Sequence, residues 1–99
     1  MRLKVGQAAA DDLEGIWLYT VEHWSVEQAD RYLGLITDGF DSIMKDPTTG
    51  RDCGELRKGY RRAKVGTHLI FYRLDDTAHA IEIIRVLHER MDIEGRLGA

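Results

Sequence analysis

The chain has 99 residues, of which 43% are apolar and 31% charged, with one proline and one cysteine. That length fits one domain over residues 1–99, able to bury a core without staples. Lone Cys53 excludes an internal disulfide and any zinc site that needs two thiolates. No apolar run nears the roughly 18–20 residues of a membrane span, and the N-terminal MRLKVGQAAADD lacks the apolar stretch of a signal peptide. A small cytoplasmic domain is expected.

The net charge of −3 conceals a division. Residues 1–48 hold four Lys/Arg against nine Asp/Glu, whereas residues 49–99 hold ten against eight. Arg57, Lys58, Arg61, Arg62, Lys64 and Arg73 fall within 57–73, where there is no acid. Such segregation suggests a basic face that meets nucleic acid or an acidic protein segment, although a solvated strand surface would look the same. The acidic first half counts against an independent nucleic-acid binder.

In chain order, Leu3 to Val5 reads as a short strand. Leu13, Ile16, Trp17, Thr20, Val21 and Trp24 then recur at three and four residues, predicting an amphipathic helix over 8–24. Ser25 followed by Gln28 is a capping box that opens a second helix. Val26, Ala29, Leu33, Ile36, Phe40 and Ile43 carry that helix to Asp46, where Pro47 stops it. So short a connection predicts an antiparallel helical hairpin. The hairpin has surplus apolar surface: Tyr32, Leu35 and Gly39 form a second line, and Leu18 and Tyr19 lie off the main face of the first helix. Either the hairpin is buried on two sides or it presents a groove to a partner's helix. A chain this short favours the partner.

Residues 50–59, GRDCGELRKG, read as loop. Gly54 and Gly59 have P-loop spacing, but Tyr60 and Arg61 stand where Lys and Ser/Thr are required, so that mechanism is absent. Three strands follow, Tyr60 to Val65, His68 to Leu74 and Ala80 to Leu87, separated by Gly66-Thr67 and Asp75-Asp76-Thr77. The tail MDIEGRLGA allows at most one helical turn. The fold class is therefore α+β: an N-terminal strand, an antiparallel α-helical hairpin and a three-stranded antiparallel meander, packed in two layers.

The chemistry available is sparse. His23, His68, His79 and His88 have no partner at metal-ligand spacing. Cys53 has no adjacent imidazole to activate it, and no cofactor fingerprint is present. Asp11-Asp12 and Asp75-Asp76 read as helix-start and turn residues. On the last strand, strict alternation puts Arg85 on one face with Ile81, Ile83 and Leu87, opposite Glu82, Ile84, Val86 and His88. An Arg within an apolar strand must reach the rim or find an anion. With Arg61, Arg62, His88 and Arg90 it is expected to line one cationic patch.

The segments DDLEGIWLYT, SVEQADRYL, ELRKGYRRAKVGTHLIFYRLDD and IIRVLHERMD, in that order, resemble ParE-type toxins. These form the gyrase-targeting branch of the RelE/ParE superfamily of bacterial toxin–antitoxin modules, and the resemblance spans residues 3–97. It implies the RelE/ParE-like two-layer fold and a ParD-type antitoxin, usually in a two-plus-two heterotetramer. The antitoxin would fill the hairpin groove at Leu18, Tyr19, Tyr32 and Leu35, with Trp17 as its floor. The resemblance further implies DNA gyrase as a target that is bound, with no cofactor and no reaction catalysed. Toxicity would lie with Arg61, Arg62, Arg85, His88, Arg90 and Met91; neither membrane association nor sequence-specific nucleic-acid binding by the toxin alone is implied. The RelE-like branch instead cuts messenger RNA, often with a C-terminal tyrosine as general base. This chain has no aromatic residue after Tyr72, though Lys58, Arg61 and Arg90 could mimic part of that site. A non-toxic interaction domain is the remaining alternative.

Overall fold

A computed structural model describes residues 1–97; Gly98 and Ala99, the end of the predicted tail, lie outside the described residues. The elements are β1 (Arg2–Val5), α1 (Gln7–His23), α2 (Val26–Lys45), a 3-10 turn (Pro47–Thr49), β2 (Arg51–Asp52), β3 (Arg61–Val65), β4 (His68–Asp75), β5 (Ala80–His88) and α3 (Ile93–Arg96). They build one sheet in the order β1-β5-β4-β3-β2, with β1 parallel to β5 and the other pairs antiparallel. The expected strand, helical hairpin and meander are all present.

The local reasons are visible in the hydrogen bonds. Gly6 N–H closes the β1 ladder on the Ile83 carbonyl at 2.9 Å, while the Gly6 carbonyl already accepts from Ala10 N–H. The helix thus starts on the last residue of the strand pairing, with Gly6 as an N-cap that offers no side-chain bond. Ser25 Oγ accepts from Gln28 N–H at 3.1 Å and starts α2, as the capping box predicts. Asp46 then accepts from both the backbone and the hydroxyl of Thr48, which holds the turn at Pro47 and keeps the Asp46 carboxyl below the ordinary aspartate range.

Ile36, Phe40 and Ile43 from α2 and Ala9 from α1 pack on Ile70, Tyr72, Ile81, Ile83 and Val86 of the sheet. Two features depart from the expected two layers. Arg51–Asp52 adds a short fifth strand inside the segment read as loop, pairing Arg51 with Arg62 and Asp52 with Arg61. The remainder of that loop folds behind the sheet with α3, where Cys53, Leu56, Tyr60, Ile93 and Leu97 cover Leu69, Phe71 and Leu87. Burial pushes the Cys53 thiol above its ordinary range, in keeping with an inert core role.

The β4–β5 register shifts at Phe71/Tyr72. Phe71 pairs with Arg85 and Tyr72 with Ile83, so Ile84 is left as the extra residue of a β-bulge. The bulge corrects the alternation expected for β5. Ile81, Ile83 and Val86 face the helices, and Leu87 joins Phe71 on the back. Arg85, opposite Phe71, stands on the back with Leu87 and not with Ile81 and Ile83. No helix among the described residues is long and apolar enough to cross a membrane.

Candidate functional site

β1 ends at Val5, opposite Ile83, so the second half of β5 has no strand neighbour on that side. Asp12, in the second turn of α1, occupies that edge. Its Oδ2 accepts from Val86 N–H at 3.0 Å, and its two oxygens take the Arg85 guanidinium at 2.8 and 2.9 Å. Arg85 also donates to the Arg96 carbonyl at 3.0 Å, tying α3 to the sheet. Asp12 is therefore no helix cap: it is the anion that the Arg85 side chain requires. The pairing raises the Arg85 pKa and holds the guanidinium charged.

Between that flank of α1 and the exposed end of β5 runs an open cleft of about 880 Å³. Its lining includes Ile16 and Tyr19 from α1, Trp24 just after it, Tyr32 from α2, His68 from β4, Val86 and His88 from β5, and Arg90 and Met91 from the segment that follows. Tyr19 is 61% and Trp24 74% exposed, which is unusual for large aromatics and leaves an apolar surface uncovered. Tyr19 stacks on His23 with ring centroids 3.8 Å apart, which fixes its orientation.

Around Tyr32 the lining is polar and hydrogen-bonded. The Tyr32 hydroxyl lies 2.6 Å from His68 Nδ1, accepts from Thr67 N–H at 3.2 Å and reaches the Val65 carbonyl at 3.2 Å. A Cβ on Gly66, whose φ is +57°, would collide with that phenol, so the β3–β4 turn and Tyr32 require one another. His68 pairs across the ladder with His88, their rings edge to face at 5.3 Å. Burial first, and the neighbouring His88 second, hold the His68 pKa below the ordinary imidazole range. His88 Nδ1 accepts from Arg90 N–H at 3.1 Å and turns the chain at the end of β5.

Of the five residues expected along one groove, Tyr19 and Tyr32 share this cleft. Trp17 is half-buried, its indole N–H donating to Asp30 Oδ1 at 3.0 Å across the hairpin. Leu18 and Leu35 are exposed but line different surfaces, since successive helical residues turn by about 100°. The expected single cationic patch is likewise divided. His88, Arg90 and Met91 stand at the cleft. Arg61, opposite Tyr72, lies on the helix side and donates to the Gly50 carbonyl at 2.7 Å. Arg62, opposite Phe71, is on the back, and Arg85 is bound by Asp12. His68 and Asp12 are cleft residues that periodicity did not single out, and Trp24, read only as part of the apolar face of the first helix, lines the cleft with them. No group of three or more His, Cys, Asp or Glu side chains able to hold a metal ion occurs among the described residues.

The family model described as "ParE toxin of type II toxin-antitoxin system, parDE" matches residues 3–93. The chain belongs to the ParE toxin family. The chain is 40% identical over 96 residues to Toxin ParE1 of Mycobacterium tuberculosis, covering 97% of each, and 38% identical to Toxin ParE1 of Caulobacter vibrioides, covering 96% of each. A solved structure, "Chromosomal ParDE TA system from P. aeruginosa", superimposes with a TM-score of 0.77 at 21% identity, over 89% of this chain and 95% of that one. The ParE fold thus accounts for the parallel β1–β5 pair, the helical hairpin and the meander together.

Proposed function

We propose that this chain is a cytoplasmic toxin, kept inactive by a ParD-type antitoxin seated along the α1 cleft, and that it acts by binding DNA gyrase without catalysing a reaction. The observation that carries the reading is the cleft itself: an open apolar trough with Tyr19 and Trp24 exposed above it, suited to a partner's amphipathic segment. His88, Arg90 and Met91 share its end, so an antitoxin lying in the trough would also cover positions that we assign to toxicity. Leu18 and Leu35 extend the contact over the outside of the hairpin, as a wrapping antitoxin requires, and the complex is a two-plus-two heterotetramer. Arg62 contributes to toxicity from the back of the sheet. Arg61 and Arg85, held by Gly50 and Asp12, act by positioning β3 and β5.

The test is a plasmid supercoiling assay with purified gyrase beside an in vitro translation reaction. The expected result is loss of supercoiling or trapped cleaved DNA with normal translation, reversed by the antitoxin. Cut messenger RNA with normal supercoiling would turn the reading to a ribosome-dependent nuclease using Lys58, Arg61 and Arg90. Normal growth of cells expressing the chain alone would leave a non-toxic interaction domain.

A further inference from the structure

The back of the sheet carries a second charged site at the β2–β3 edge. Arg51 and Arg62 are direct partners in the antiparallel β2–β3 ladder, and their side chains share one shallow depression of about 440 Å³ with Lys64, Leu69 and Glu89. Like charges placed directly opposite in a ladder are destabilising. Elsewhere on this face the cations are matched: Arg73 by Glu82 at 2.7 Å and Lys64 by Glu89 at 2.8 Å. The side chains of Arg51 and Arg62 have no hydrogen-bond or ion-pair partner among the described residues.

We propose that Arg51 and Arg62 form a phosphate-backbone site for duplex DNA, with Lys64 beside it. Two guanidinium forks on adjacent strands present donors in the planar arrangement that phosphate oxygens accept. Lys64, two residues along β3 from Arg62 and roughly 7 Å further on, is already paired with Glu89, so the two arginines carry the contact. Glu89, which also lines the depression, has its charge offset by Lys64. The lining favours nucleic acid over an acidic protein segment. Four of its five side chains are charged and only Leu69 is apolar, whereas protein interfaces have apolar cores and nucleic-acid interfaces are polar and positive. Guanidinium contacts to phosphate oxygens read backbone and not sequence. The inference rests on the gyrase reading only for the source of the DNA, since that target works on a duplex.

The experiment is fluorescence anisotropy of a 20-base-pair duplex with the full-length chain, without gyrase, over a salt series. The wild-type chain should bind with non-specific affinity, a Kd of about 10⁻⁴ to 10⁻⁶ M. The Arg51→Ala/Arg62→Ala variant should flatten the plot of log K against log salt by about two and weaken binding about tenfold at low salt. Arg51→Lys/Arg62→Lys should keep most of the slope, and Arg31→Ala, on the exposed side of α2, should leave binding unchanged. An unaltered circular dichroism spectrum and melt would show that the variants are folded. Absence of DNA binding, or equal binding by the double alanine variant, overturns the proposal. So does tighter, Arg-dependent binding to poly-glutamate, which would assign the site to an acidic protein. Because no gyrase is present, a negative supercoiling assay and a negative DNA titration are separate results.

Discussion

His68 is the residue at which environment and chemistry meet most directly. It sits half-buried against Tyr32 from α2, Thr67 from its own turn and His88 from β5, with the Asp12 and Glu89 carboxylates more distant. Burial and His88 depress its folded-state pKa below the ordinary value of 6.5. The unfolded chain therefore binds more protons than the folded one just below that value. The His68 contribution to stability is fully present above pH 6.5 and is lost as pH falls through the folded-state pKa. Chemical denaturation of wild type between pH 7.5 and 5, beside His68→Gln, should show a steeper acid-side loss in wild type; parallel curves would refute the assignment. Asp12 makes the second residue-scale prediction. It satisfies Val86 N–H and both inner donors of Arg85. Asp12→Ala should cost about 2–3 kcal/mol in urea unfolding, because a half-buried guanidinium and an edge N–H lose their acceptor together.

At the scale of elements, some pieces are written locally and others are not. The start of α2 is legible from Ser25 and Gln28, its end from Pro47, and the strands of the meander from runs of strand-forming residues. The β5 bulge is not, because Ile84 carries no mark of being the extra residue: only the register against β4 reveals it, and every face assignment beyond it moves by one. The start of α1, Gln7, falls one residue before the predicted position 8, but its cap is hidden, since Gly6 offers no side-chain bond and Asp11-Asp12, read as helix-start residues, lie beyond the first turn. β2 is a two-residue strand held from outside. Tyr72 hydroxyl accepts from Gly50 N–H at 3.0 Å and donates to the Pro47 carbonyl at 2.7 Å, anchoring the approach to β2 on the core. Gly50 is buried there, and a Cβ on it would collide with the Tyr72 ring. Tyr72→Phe, which orphans one buried N–H, should destabilise by about 1–3 kcal/mol. Gly50→Ala should be worse, since backbone and phenol cannot both stay. Thermal melts of the two variants give the order, and a neutral Gly50→Ala would show that the anchor is dispensable.

Across the whole molecule, the acidic and basic halves of the chain do not become an acidic and a basic side. The sheet interleaves them, so Asp12 from the first half meets Arg85 from the second, and both halves of the chain line the cleft. This is why charge segregation along the sequence pointed to a single cationic patch while the fold divides those cations among the cleft, the helix side and the back of the sheet. It also brings the two proposed interactions together at the cleft, where His88, Arg90 and Met91 line the same surface as Tyr19, Trp24 and Tyr32. Tyr32→Glu would place a carboxylate beside the cleft wall and break the contact with His68; Leu35→Glu changes only an exposed position on the outer hairpin. Both should weaken antitoxin binding, Tyr32→Glu more strongly, at about tenfold or greater for a charge forced into an apolar interface. Arg90→Ala removes a cation at the cleft end whose backbone N–H, and not its side chain, holds the turn to His88. It should therefore lower toxicity on induction while leaving the melt unchanged, and weaken antitoxin binding less than Tyr32→Glu does. Calorimetry with the antitoxin and growth after induction read the two effects apart. If Leu35→Glu and Tyr32→Glu bind like wild type, the antitoxin does not lie on this face; if Arg90→Ala remains fully toxic, the target is engaged elsewhere, with Arg62 on the back of the sheet the next position to remove.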